Sequence, residues 1–237
     1  MSNDDGKHWI RISDELLSGK GIDEPYNQQE MAQFIDWVEN EEATALHKVP
    51  FLGQFLVDVV ETGGNAVHLP NFPNDEFVYI LVGGLTLTSD VTKADQTFYA
   101  GDRVLVPRGW AGVWRVHAGV FREVATVPSN YFDVSSQAQA APKGALPFII
   151  DPPRTPGTHQ LHSGAYVVEA QNAGCEETRA IEQQSDEVVH VLGGTLRLTA
   201  AEKTEIFKPG DIVIKPKGFK GESHVTAGYR AVVARAK

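Results

Sequence analysis

DEFVYILVGGLTLT, Asp75 to Thr88, returns 111 residues later as DEVVHVLGGTLRLT, Asp186 to Thr199. The match runs backwards without a gap, GQFLVD from Gly53 onto GAYVVE from Gly164, and Gly63 onto Gly174. Forwards, GDRVLVPRGWAG from Gly101 falls on GDIVIKPKGFKG from Gly210, at an offset of 109. The change in offset lies between Thr88 and Gly101, a turn region where a length change costs least. A repeat of this length marks a tandem duplication and sets the architecture before any single element is assigned.

Each copy is a series of short β segments. The first has FLVDVV, EFVYILVG, LTLT, DRVLVP and VWRVHA; the second has YVVEAQ, EVVHVLG, LRLT, DIVIKP and YRAVVA. Alternating apolar and β-branched runs broken by Gly, Pro and Asn predict an antiparallel sandwich or barrel. No strand–long helix–strand alternation is present, which argues against a parallel α/β fold. Ahead of the first copy, Asn27-Gln28-Gln29-Glu30 has capping-box spacing, and Met31, Phe34, Ile35 and Val38 form an apolar stripe that predicts a short amphipathic helix. The expected organisation is an arm and helix over 1–49, a first barrel over 50–127, a Pro- and Ala-rich linker over 128–160, and a second barrel over 161–237.

Composition narrows the function. With 237 residues, 42% of them hydrophobic, the chain can bury a sizeable core. No apolar run approaches the ~20 residues of a membrane span, and the acidic start MSNDDGKHWIRISDE lacks the pattern of a signal peptide. A cytoplasmic protein is expected. A net charge of -10 argues against nucleic acid or an anionic membrane as partner. Cys175 is the single cysteine, which excludes an internal disulfide and a CxxC metal site. Acidic residues crowd the stretch before residue 47, and Lys203, Lys208, Lys215, Lys217 and Lys220 gather near the other end. These are two solvated faces, or an acidic head packed on a basic tail.

Glu76, then Gly83, Gly101-Asp102 and Pro107-Arg108-Gly109, resembles the cupin superfamily, and Glu187, Gly194, Gly210-Asp211 and Pro216-Lys217-Gly218 repeat the pattern. The resemblance covers both copies, as in a bicupin, and implies two tandem all-β double-stranded β-helix (jelly-roll) barrels. The run Gly109 to Trp114 is similar to the subgroup with ethanolamine-utilisation and ureidoglycine aminohydrolase-type domains. Bicupins of this kind imply a homodimer.

The resemblance also implies where a metal would sit: a His-x-His pair, a Glu, and a His three residues beyond the Pro-x-Gly glycine. Only Glu76 and Glu187 remain. HLPNFPND offers His68 alone, RAIEQQSD offers no histidine, and the late histidine is Gly112 in one copy and Gly221 in the other. A stable transition-metal site needs three or more well-placed ligands, so neither a metal nor another cofactor is expected.

On the family's inward face Glu76 is joined by Val78 and Ile80, with Gly112 and Trp114 on the later strand and Trp110 at the turn. A buried Glu76 has a raised pKa and could serve as a general acid or base; Glu187 is the second such candidate. Phe219 and Ser223 replace Trp110 and Trp114 in the second copy, so its interior is expected to be roomier and more polar. There Arg179 stands where His68 stands in the first, suited to a carboxylate or phosphate. Tyr79 and His190 are expected on the outer face. The expected small-molecule contacts are thus His68, Glu76, Trp110, Trp114, Arg179, Glu187, Phe219 and Ser223. Three functions remain open: a metal-free binding or sensing protein or enzyme acting on a small polar metabolite; a metal-dependent aminohydrolase, isomerase or oxygenase with unorthodox ligands; and a dimer scaffold of degenerate barrels.

Overall fold

The computed structural model describes residues 8–27, 32, 35–40, 43, 45–130 and 145–237. They fall into two compact units, Ser13–Ile150 and a second that joins residues up to Ile12 with Asp151–Lys237. The described residues are almost entirely β.

In the first unit one antiparallel sheet has the strand order Phe148–Ile149, Arg103–Val106, Glu76–Val82, Phe121–Pro128, Phe55–Thr62, Leu46–Leu52 and Glu24–Pro25. The other runs Asp36–Glu39, Asn65–Leu69, Gly112–Val116, Gly84–Ser89 and Asp95–Tyr99. Period-two alternation sends Val78, Ile80, Val104 and Val106 of one sheet, and Leu85, Leu87, Trp114 and Val116 of the other, into one buried cluster. The second unit repeats the plan with a six-stranded and a four-stranded sheet among its described residues. Its core holds Val189, Val191, Leu198, Phe207, Val213 and Phe219. These are two jelly rolls of the kind the repeat predicts.

The ladders make the two copies comparable residue by residue. Val106 is paired with Glu76, and Lys215 holds the same place beside Glu187. Arg235 pairs with Glu187 from the other side. In the first copy Phe77 pairs with Thr126, which puts Val127 beside Glu76.

One expectation about the N-terminal region needs correction. Of the predicted helix, residues 28–31, 33 and 34 lie outside the described residues. The part that is described, Asp36–Glu39, is a strand paired with Asn65–Leu69. Ile35 and Trp37 pack on the core cluster while Val38 is exposed, which is an alternation of two rather than a helical stripe. The short helix is Asp14–Leu17, capped by Ser13, whose hydroxyl accepts from the Leu16 N–H at 3.2 Å.

A further finding concerns charge. Ile10–Arg11 adds a strand to the edge of Ile212–Lys215, and the bonds that fix it run opposite in sign to an acidic head on a basic tail. Arg11 pairs with Glu205 and Asp211, both at 2.7 Å. Next to it Trp9, 2% exposed, meets Phe207 and Phe219 edge-on at 6.4 and 5.8 Å and donates its indole N–H to Glu205 at 2.6 Å. A residue outside the repeat thus completes the core of the second barrel.

Candidate functional site

A cavity of about 320 Å³ lies in the first barrel, at the lower end of the range for small-molecule sites. Its walls are apolar and aromatic: Phe72 and Trp114 stack with their rings 6.0 Å apart, and Ile35, Trp37, Leu69 and Phe121 extend the surface. Into this chamber project three acids, Asp58, Glu76 and Glu123, and no lysine or arginine is among the described residues that line it. All three are buried.

Each acid is placed by strand alternation. In FLVDVVET, Leu56, Asp58, Val60 and Thr62 face the chamber; in FREVATVP, Phe121, Glu123, Ala125 and Val127 do so. One oxygen of Asp58 is anchored from the N-terminal side, accepting the Tyr26 hydroxyl at 2.6 Å and lying 3.0 Å from His47 Nδ1. The Tyr26 and His47 rings stack at 4.1 Å. The other oxygen, Asp58 Oδ1, and Glu123 Oε2 are buried without a hydrogen-bond partner.

That arrangement governs protonation. Burial, then the negative charges of Glu76 and Asp58, push the Glu123 carboxyl well above its ordinary range. Burial and the neighbouring Asp58 likewise raise the Tyr26 phenol, whereas the bond to Asp58 raises the pKa of His47. The chamber therefore offers an acid that holds its proton more firmly than an ordinary glutamate, beside Asp58, which two partners hold in place.

The turn Pro107-Arg108-Gly109 opens onto Gly112, and the structure explains the glycine. A methyl group on Gly112 would collide with the Thr88 carbonyl oxygen and lie 2.7 Å from Trp110 Cζ2. On Gly221 it would collide with the Thr199 carbonyl oxygen and lie 3.1 Å from Phe219 Cζ. In both barrels an aromatic ring and a backbone carbonyl fill the space a side chain would need.

The second barrel has turned its acid inward on itself. Glu187 is bonded by Lys215 at 2.5 Å and by Arg235 at 2.9 Å, and Arg235 also reaches Glu169 at 2.7 Å. Burial alone would raise the Glu187 carboxyl, but Lys215, Gln183 and Arg235 hold it below its ordinary value. The cavity here is about 130 Å³ and is lined in part by Arg179, Lys215, Ser223 and Tyr229. It is more polar than the first, as expected, but smaller rather than roomier.

The expected contact residues therefore separate. Glu76 and Trp114 line the first chamber, and Arg179 and Ser223 line the small second one. Trp110 and Phe219 are fully buried supports behind their glycines. Glu187 is engaged by its two cations. His68 does not reach the chamber: Val67 and Leu69 face it, and His68 points the other way, 2.8 Å from Asp90. The bond to Asp90 raises its pKa. Arg179 is largely exposed and bonds Glu177 at 2.6 Å. Of the two residues expected on the outer face, Tyr79 is half-buried with Arg103 over its ring at 4.5 Å, while His190 is buried. Sequence reasoning missed Asp58, Glu123 and Tyr26, and missed Lys215 and Arg235 as partners of Glu187. The available signal was a charged residue interrupting each apolar run, FLVDVV, REVATV, VIKP and VVARA.

A metal of the family kind does not fit these donors. Among the described residues no group of three or more His, Cys, Asp or Glu has the arrangement to hold an ion, and the position of the late histidine is filled in both copies. No helix among the described residues is long and apolar enough to cross a membrane.

The family model described as the EutQ-like cupin domain matches residues 57–124 and 158–232. No curated protein matches the chain in sequence. Among solved structures, a Cupin 2 conserved barrel domain protein from Leptotrichia buccalis superposes with a TM-score of 0.58 at 12% identity, covering 91% of this chain and 97% of that one. A putative glyoxylate-induced protein from Pseudomonas aeruginosa gives 0.54 at 17% identity, covering 85% and 81%. A mutant of salicylate 1,2-dioxygenase from Pseudoaminobacter salicylatoxidans gives 0.53 at 12% identity, covering 77% and 71%. At such identities the likeness is one of fold.

Proposed function

The chain belongs to the EutQ-like cupin domain family, and on that premise we propose that it is a small-molecule binding protein whose first barrel holds its ligand without a metal. One observation carries this reading: a chamber of about 320 Å³ with aromatic walls and three inward acids, in the barrel whose metal-ligand pattern is incomplete. The walls take up the apolar part of a ligand by excluding water, worth roughly 25 cal/mol for each Å² covered. The acids fix its orientation, since in a dry site hydrogen bonds to charged groups are stronger than in water. A chamber beside Glu76 weighs against the scaffold alternative, which calls for packed interiors.

The test is a ligand screen read by the fluorescence of Trp37 and Trp114, both of which line the chamber. Ala45→Trp is the control, because Ala45 is half-buried on the chamber wall and a large side chain there fills the space. A hit that the wild type binds and this variant loses supports the reading. Hits unaffected by Ala45→Trp, or stoichiometric Mn, Fe, Ni or Zn in the purified protein, overturn it.

A further inference from the structure

Resting on the reading of the first barrel as a ligand chamber, we propose that its ligand is an organic cation, an ammonium group on a compact apolar body, whose charge is met by Asp58, Glu76 and Glu123. The duplication supplies an internal control for charge. In the second barrel the inward acids are Glu187 and Glu169, and they are matched by two cations, Lys215 and Arg235. The ladder registers give the equivalents in the first barrel. Glu76 stands for Glu187, and Asp58, paired with Ala125, stands for Glu169, paired with Val233. Lys215 has become Val106, and Arg235 has become Val127. Both cations are gone, and an acid has been added: Glu123, paired with Ile80, stands where the second copy has Ala231, paired with Val191.

The result is three acids in a chamber with no lysine or arginine among its described lining residues. Glu123 Oε2 and Asp58 Oδ1 are buried with no partner, in residues 6% and 2% exposed. A buried acceptor left unmatched is costly, and a buried carboxylate needs a counter-charge. An ammonium delivered by a ligand does what Lys215 does in the second barrel. The stacked Phe72 and Trp114 present aromatic surface, which suits both an apolar body and an adjacent cation. A bare metal ion suits the site less, since the three acids lack the arrangement to hold one and most of the wall is apolar.

The groups facing Glu123 are Glu76 and Asp58, with Tyr26 and His47 behind Asp58. An incoming ammonium displaces the Glu123 proton, so binding releases protons and strengthens as pH rises towards the point where Glu123 ionises unaided.

The experiment is calorimetric titration of the full chain at pH 8 with benzylamine, benzyl alcohol and benzoate, which differ in charge and little in size. Benzylamine is expected to bind at least about tenfold more tightly than benzyl alcohol, a difference well within the reach of one charged contact, and benzoate not at all. Glu123→Gln and Asp58→Asn should each remove most of that preference, bringing the affinities of the amine and the alcohol together. Val106→Lys, which restores the ammonium of the second barrel, should compete with benzylamine from within. Equal binding of all three compounds overturns the cation assignment and leaves the chamber standing. Binding of none, with no difference between wild type and Ala45→Trp, overturns the chamber itself. Saturable binding of Mn²⁺ or Zn²⁺ alone that Glu123→Gln abolishes assigns the acids to a metal and overturns both.

Discussion

Glu76 and Glu187 occupy the same place in two copies of one fold, yet their surroundings are opposite. Glu187 has Lys215 and Arg235 within hydrogen-bond distance, in a barrel whose core Trp9 and Phe219 help to fill. Glu76 has valines at both equivalent positions, two more acids in its chamber, and room beside it. After duplication the same strands can thus be completed in two ways. One barrel supplies two cations to its inward acids. The other leaves Asp58 Oδ1 and Glu123 Oε2 without partners beside a larger open volume, and is the candidate receptor.

The largest expected effect is at the residue that only the second barrel recruits from outside the repeat. Trp9→Ala should cost about 3–5 kcal/mol of stability in urea denaturation, the range for emptying a buried aromatic site. A cost below about 1 kcal/mol would mean that the interior collapses around the gap, so that Trp9 is not needed to complete that core. Next comes the ion pair. Lys215→Met leaves Glu187 buried with one cation fewer and should cost about 3 kcal/mol, at the low end for breaking a buried pair because Arg235 remains. Val106→Met, at the equivalent place in the first barrel, keeps an apolar residue and should cost less than about 1.5 kcal/mol.

The glycines come third. Gly112→Ala and Gly221→Ala each force a backbone shift against Thr88 or Thr199 and should cost about 1–3 kcal/mol, the usual penalty of overpacking. Gly112→His should destabilise at least as much and gain no metal affinity by calorimetry. Recovery of a tight metal site by that single change would show that the first barrel is a cupin metal centre one residue from working.

The smallest effect is the most diagnostic, because the two barrels should respond to pH with opposite sign. The Glu123 carboxyl is raised, so the folded state holds its proton more firmly than the unfolded chain does. Stability from this group is complete below the ordinary glutamate value of about 4.5 and declines as pH rises above it. Glu123→Gln should remove that decline and gain about 1–2 kcal/mol at pH 8, the scale of one uncompensated buried group. Glu187 is depressed, so its contribution is present above about 4.5 and is lost as pH falls below. Glu187→Gln should flatten the acid limb and destabilise at neutral pH. Denaturation midpoints across pH 3 to 9 read both slopes in one series.

Much of the fold was legible because β alternation and the duplication are local or repeated signals. EFVYILVG and DIVIKP could be assigned as strands from their own residues, and the inward set Glu76, Val78 and Ile80 followed from period two. The site was less legible. Counting histidines detects an incomplete metal pattern, but it is blind to acids such as Asp58 and Glu123, whose significance depends on which cations are missing across the ladder. That fact resides in pairs, Val106 beside Glu76 and Val127 beyond, and pairing register is not a property of one segment. Trp9 was illegible for a related reason. It lies outside the repeat, and its partners, Phe207 and Phe219, are about 200 residues away in sequence.

That distance has a consequence for how the molecule is made. Trp9 and the strand Ile10–Arg11 leave the ribosome ahead of both repeats, yet the edge they join, Ile212–Lys215, lies well into the second. Chains grow at about 5–20 residues per second and fold by domains from the N-terminal side. The unit Ser13–Ile150 can therefore close while the segment ahead of it still hangs free, its tryptophan wet. A chain cut short before residue 212 has no edge to receive it. The seam between Ile10–Arg11 and Ile212–Lys215 is thus a check on the duplication itself, passed only once both copies have been made.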